Sequence, residues 1–156
     1  MYILWYTGGV KEMNNLLAIN ATDARKAWSL VVDQVIREKP KFIKRTRDYM
    51  ILSDVRFLEV LLSGYFFSAE RFIEEDGSIT LSLNEIDIVE NGKSEEEAKQ
   101  KLAQSIIDYA EDFYNDFQYW ATATNRKSQI PYVFKALILD DANKIGEQIR
   151  CRDGKN

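Results

Sequence analysis

Histidine is absent from this 156-residue chain and cysteine occurs once, at Cys151. The first absence removes the commonest general base near neutral pH and the commonest zinc ligand, and the second excludes an intramolecular disulfide. A lone cysteine suits a reducing cytoplasm. Two prolines and seven glycines are too few for a collagenous or linker-rich chain. No run of about 18 apolar residues is present, which argues against a membrane-spanning helix. The apolar stretch Met1 to Tyr6 is short, carries no basic residue and leads to no small-residue cleavage site, so it does not read as a signal peptide. What the chain does have is 46% hydrophobic residues, enough to build a core for one ordinary domain or two small ones.

The formal net charge of -4 is unevenly distributed. From Met13 to Val60 nine basic residues face six acidic ones, a net of +3, whereas from Leu61 onward eleven basic residues face eighteen acidic ones, a net of -7. A basic part joined to an acidic part suggests a polyanionic partner for the first and a protein partner for the second. The patterning agrees with a division into an N-terminal extension (1–12), a small basic head (13–64) and an acidic α+β region (65–156). Residues 1–12 read either as an additional strand or as an extension that the head does not require, and the extension is the reading adopted.

Leu16 to Asn20 is a short strand candidate. Asn20 or Thr22 then caps a helix with Asp23 in its first turn, where the macrodipole favours negative charge. Ala24, Ala27, Trp28, Val31, Val32, Val35 and Ile36 step by three and four, which predicts one helix with one buried face, ended by Pro40. Lys41 to Lys44 and Tyr49 to Leu52 are β-compatible about a charged hairpin tip, Arg45-Thr46-Arg47-Asp48. Ser53 caps a further helix bearing Val55, Leu58, Leu61 and Leu62.

In the second part, Tyr65 to Ile73, Ser78 to Leu83 and Ile86 to Val89 predict three antiparallel strands, separated by the Asp76-Gly77 turn and followed by Asn91-Gly92. Ser94 and Glu97 form a capping box. The helix they open carries Ala98, Leu102, Ile106, Tyr109, Phe113 and Phe117 at helical spacing. After a polar loop over Thr122 to Gln129, Pro131 opens a helix to about Leu139. Asp140-Asp141 starts a last helix with Ile145 and Ile149, on which Cys151 is a small apolar residue, and Gly154 to Asn156 are expected to fray.

Arg25 and Lys26 near a helix N-terminus, with Lys44, Arg45 and Arg47 on a loop, are suited to neutralising phosphates, and arginine also reads guanine edges. The sequence Asn20-Ala21-Thr22-Asp23-Ala24-Arg25, followed by the amphipathic helix, Pro40 and the Phe42 to Leu52 hairpin, resembles the prevent-host-death (Phd/YefM) antitoxin family over roughly Leu16 to Leu62. The resemblance implies a β-α-β-β-α head that dimerises through a shared sheet and places Thr22, Arg25 and the basic loop on operator DNA. The hairpin departs from the family in lacking the usual Arg-Gly pair. Asp76-Gly77, the three strands and the helix opening at Gly92-Lys93-Ser94 resemble the HicB antitoxin core over about Phe67 to Ala110, with Asn84 where that family commonly has proline.

Together the two resemblances imply an antitoxin of a type II toxin-antitoxin pair, a cytoplasmic homodimer that binds operator DNA and neutralises a small basic ribonuclease. A stand-alone transcriptional regulator or interaction module is the alternative. The dense aromatic set provides the candidate partner surface, Phe113, Phe117, Tyr119, Trp120 and Tyr132, since large apolar groups with polar handles are enriched at interface hot spots. Asp108 and Asp112 share a helical face, but a magnesium-dependent nuclease needs carboxylates converging from several elements. No catalytic residue, metal ligand, cofactor or membrane partner is assigned.

Overall fold

The computed structural model describes residues 17–155, so the N-terminal extension and the first residue of the Leu16 to Asn20 strand lie outside the described residues. The fold is α+β, and the chain divides between Leu58 and Glu59 into two compact units.

The first unit begins with β1 (Ala18–Asn20), and Asn20 ends the strand by accepting a 2.9 Å hydrogen bond from the Thr22 backbone N–H onto its side chain. Asn20, not Thr22, is therefore the cap of α1 (Ala21–Lys26). The apolar spacing predicts one continuous helix here. Instead Ala27, at φ -118° and ψ 35°, separates α1 from α2 (Trp28–Arg37). The pattern does not reveal this break because seven residues are almost two full turns, which keeps Ala24 and Val31 in phase across it. The sheet runs β1-β2-β3, with β1 parallel to β2 (Lys41–Arg45) and β2 antiparallel to β3 (Asp48–Leu52). Ala24, Val31, Val35 and Ile43 form its small core, with Ile19, Ala21 and Leu52 packed against them. The next helix, α3 (Val55–Leu61), starts at Asp54 rather than Ser53: Asp54 Oδ1 accepts from the Arg56 backbone N–H at 2.8 Å, and its carboxylate also binds the Arg56 guanidinium. These bonds hold the Asp54 pKa at about 2.

In the second unit, α4 (Glu95–Asn115) lies on a four-stranded sheet whose strands β4 (Ser68–Ile73), β5 (Ile79–Leu83), β6 (Val89–Gly92) and β7 (Arg150–Asp153) are ordered β6-β5-β4-β7. Ser94 accepts from Glu97 N at 3.2 Å and Glu97 reaches back to Lys93 N, completing the expected capping arrangement one residue early on the return. Ala98, Leu102, Ala103, Ile106, Ala110 and Phe113 on α4 meet Ala69 and Leu81 of the sheet and Val133, Ala136 and Ile145 of the C-terminal helices. Strands β4 (Ser68–Ile73) and β5 (Ile79–Leu83) pair antiparallel about the Asp76-Gly77 turn, where Gly77 has φ +82°. The third strand, β6, is Val89–Gly92 rather than Ile86 to Val89, so Asn91-Gly92 belongs to a strand and not a turn. A Cβ on Gly92 would collide with the Ala98 backbone nitrogen; glycine is required there by close approach of strand and helix.

The long helix stops at Asn115, and Phe117 opens α5 (Phe117–Thr122). A 3₁₀ turn at Lys127–Gln129 leads into α6 (Ile130–Leu139), which has Pro131 in its first turn. Asp141 caps α7 (Ala142–Gln148). The last helix ends sooner than expected, because Arg150–Asp153 form β7, parallel to β4. Cys151 is thus a strand residue opposite Ala69, and burial pushes its thiol pKa up. Nor does the chain fray at Gly154, whose N–H donates to Arg71 O at 2.8 Å, while Arg71 pairs with both Asp153 and Glu95. Among the described residues no helix is long and apolar enough to cross a membrane.

Candidate functional site

Strand alternation and helical spacing decide where the basic residues of the first unit go. In β2, Lys41, Ile43 and Arg45 share one face, and Ile43 is buried against Ala24, Val31 and Val35. Arg45 therefore emerges on the helix side, at the end of the strand opposite Asp48. Across the α1 to α2 break, Thr22, Arg25 and Trp28 line the same cavity of about 580 Å³ as Ile43, Arg45, Thr46 and Met50. The structure thus brings together three of the six expected DNA contacts, Thr22, Arg25 and Arg45, around an apolar floor.

The other three stand elsewhere. Lys44 is on the opposite face of the sheet, its ammonium 5.4 Å from the Tyr49 ring centroid. Lys26 is exposed one position round the helix from Arg25, and Arg47 is exposed in the turn, in a separate depression with Arg45, Thr46 and Asp48. Arg25 and Lys26 occupy the last turn of the six-residue α1, not the first turn of a long helix as expected, so their attraction for phosphate rests on their own charges. The turn between β2 and β3 consists of Thr46 and Arg47, with no glycine, and Thr46 takes φ +56°. That conformation costs a β-branched residue on the order of 1 kcal/mol.

Trp28 and Met50, 51% and 56% exposed, are members of this site that sequence reasoning missed. The signal for Met50 was available in the hairpin: once Arg45 pairs with Asp48, Ile43 faces Met50 and both point to the helix side.

The expected partner surface on the second unit is rearranged. Phe113 is wholly buried, with its ring 5.7 Å from Phe117, 6.0 Å from Trp120 and 6.1 Å from Tyr109. It is a core residue. Phe117, Trp120 and Tyr132 are partly buried and pack on that core. Burial, then the nearby Glu85 carboxylate, pushes the Tyr132 phenol above its ordinary pKa. Of the five, Tyr119 alone is largely exposed, at 70%, and Tyr114, beside the set, is 57% exposed. The Arg126 guanidinium lies 3.9 Å above the Trp120 ring and fixes one side of the cluster.

A family model described as PHD-like, antitoxin of toxin-antitoxin, RelE/RelB, TA system, matches residues 13–151. A crystal structure from Syntrophomonas wolfei subsp. wolfei, described as the antitoxin part of a proposed toxin/antitoxin system, aligns with a TM-score of 0.83 at 35% identity, covering 88% of this chain and 99% of that one. Among curated proteins no relative matches.

Proposed function

This chain belongs to the PHD-like antitoxins of toxin-antitoxin systems, and from that membership we propose that it binds operator DNA as a homodimer through its basic unit and neutralises a ribonuclease toxin through its acidic one. The family implies a cognate toxin partner. The observation that carries the DNA half is the convergence of Thr22, Arg25 and Arg45 on one cavity, a grouping that core packing does not require of exposed polar residues.

Dimerisation is supported by how little the first unit buries. Among its described residues the core holds four buried side chains, all small or β-branched, a modest core of the kind that association commonly supplements. Meanwhile, away from the cavity, Leu30, Ile36, Ile51 and Val55 are all at least half exposed. A second copy laid against these surfaces removes them from water and brings a second set of arginines to the DNA. The order of β1, α1, α2, β2, β3 and α3 supports the Phd/YefM-like reading of this unit. Three antiparallel strands followed by a capped long helix support the HicB-like reading of the other, to which this chain adds the parallel strand β7.

The test of the DNA half is retention of the duplex lying upstream of the chain's own reading frame. Retention at low salt that falls steeply as salt rises is the expected result, because each neutralised phosphate releases counterions. No retention at low salt overturns it.

A further inference from the structure

The second unit has one exposed surface whose composition works against the helix that carries it. Between Lys101 and Arg126 the chain contains no basic residue, and α4 has none in its last turn. Over that span Asp108, Glu111, Asp112 and Asp116 are all exposed. Asp108, Glu111 and Asp112 fall on one helical face, away from the buried stripe. Among the described residues the ion pairs of α4 are at its other end, where Glu95 meets Lys99 and Arg71 and Glu97 meets Lys101. Acidic side chains are favourable at a helix N-terminus and unfavourable at its C-terminus, where the carbonyl ends already concentrate negative charge. α4 has three acids in its favourable first turn, Glu95, Glu96 and Glu97, and a second set, Asp108, Glu111 and Asp112, in its C-terminal half, of which Asp112 is in the last turn.

The same end carries the two most exposed tyrosines of this unit, and both are braced. Tyr114 meets Phe134 edge-on with ring centroids 6.3 Å apart, and Tyr119 meets Trp120 edge-on at 5.9 Å. Trp120 packs on the core and Phe134 meets Phe117 edge-on with centroids 6.0 Å apart, which limits the rotamers available to the exposed pair before any partner arrives. Rigid aromatic side chains set among like charges provide apolar contact area at low ordering cost, with an electrostatic field that selects the sign of the partner.

We propose that the C-terminal half of α4 and the start of α5, presenting Asp108, Glu111, Asp112 and Asp116 with Tyr114 and Tyr119, is the docking surface for the basic face of the cognate toxin. The inference rests on the antitoxin reading and specifies where that contact is made. Charge complementarity commits the surface to a basic protein and excludes nucleic acid, whose phosphates these carboxylates repel.

The test uses the full chain and the toxin encoded beside it, with affinity measured by calorimetry across a salt series. Two variants are compared: Asp108→Asn with Glu111→Gln and Asp112→Asn, and Tyr114→Ala with Tyr119→Ala. The neutralised variant is expected to bind about 10- to 100-fold more weakly with a shallower salt dependence, and to melt no lower than the unaltered chain, because the three carboxylates are exposed and Asp112 opposes the helix dipole in the last turn. Weaker binding at undiminished stability excludes misfolding as the cause. The tyrosine variant is expected to bind about 10-fold more weakly with little change in its salt dependence. Toxin binding unchanged in both variants overturns the assignment of the surface while leaving the antitoxin reading intact. Failure of the unaltered chain to bind the toxin overturns that reading itself.

Discussion

Replacing Arg25 and Arg45 together by alanine is expected to weaken binding to the upstream DNA by at least about 100-fold at moderate salt, as measured by fluorescence anisotropy. Both side chains line the same cavity. In a dimer the double substitution removes four cations from the interface. If all four neutralise phosphates, the slope of log K against log salt should become shallower by about 3.6, at roughly 0.9 for each phosphate left without its cation. If one arginine reads a guanine edge instead, the slope changes less, and the discrimination between operator and unrelated DNA falls. Lys44→Ala is the internal comparison. Because Lys44 lies on the other face of the sheet over Tyr49, it should leave both quantities nearly unchanged.

Phe113→Ala is expected to cost about 3–5 kcal/mol of stability, the range for deleting a buried phenyl group and leaving its cavity behind. The ring is fully buried and touches three other aromatic rings, so the hole is poorly placed to collapse. For a chain of this size that corresponds to a fall in melting temperature on the order of 10 °C, read by circular dichroism. Tyr119→Ala, at 70% exposure, should change stability by no more than about 0.5 kcal/mol. The pair separates packing from recognition. A toxin-binding defect in Phe113→Ala that disappears at low temperature, where the protein is folded, marks Phe113 as core; a defect in Tyr119→Ala with unchanged melting marks Tyr119 as a toxin-facing residue.

The elements that were legible in the sequence are those whose signal is local. Ser94 and Glu97 announce α4, the period of Ala98 to Phe113 gives its buried face, Asp76-Gly77 marks a turn, and Pro131 and Asp141 mark helix starts. What escaped depends on contacts distant in sequence. Arg150 to Asp153 is polar and unpatterned, and becomes a strand only because β4 offers an edge and Arg71 a partner for Asp153. Asn91-Gly92 has turn composition, yet Gly92 is in a strand because the start of α4 crosses against it. The break at Ala27 leaves no mark, since the apolar residues on either side remain in phase.

The site was half legible for the same reason. Counting charges identified Arg25, Lys26, Lys44, Arg45 and Arg47 as a basic set, but only the strand register and the helix geometry separate those that converge from those that do not. Aromatic density likewise located a cluster without saying which rings face inward. In α4 the buried stripe takes Phe113, and the outward positions fall to Tyr114 and the carboxylates.

The division of labour between a basic and an acidic unit is tested most directly by titrating the neighbouring toxin's RNA cleavage with the full-length chain. Stoichiometric loss of cleavage, complete once the chain matches the toxin and preserved in Arg25→Ala with Arg45→Ala, is the predicted result. Cleavage that continues undiminished in excess of the chain would contradict the account and leave a DNA-binding protein with no toxin to control.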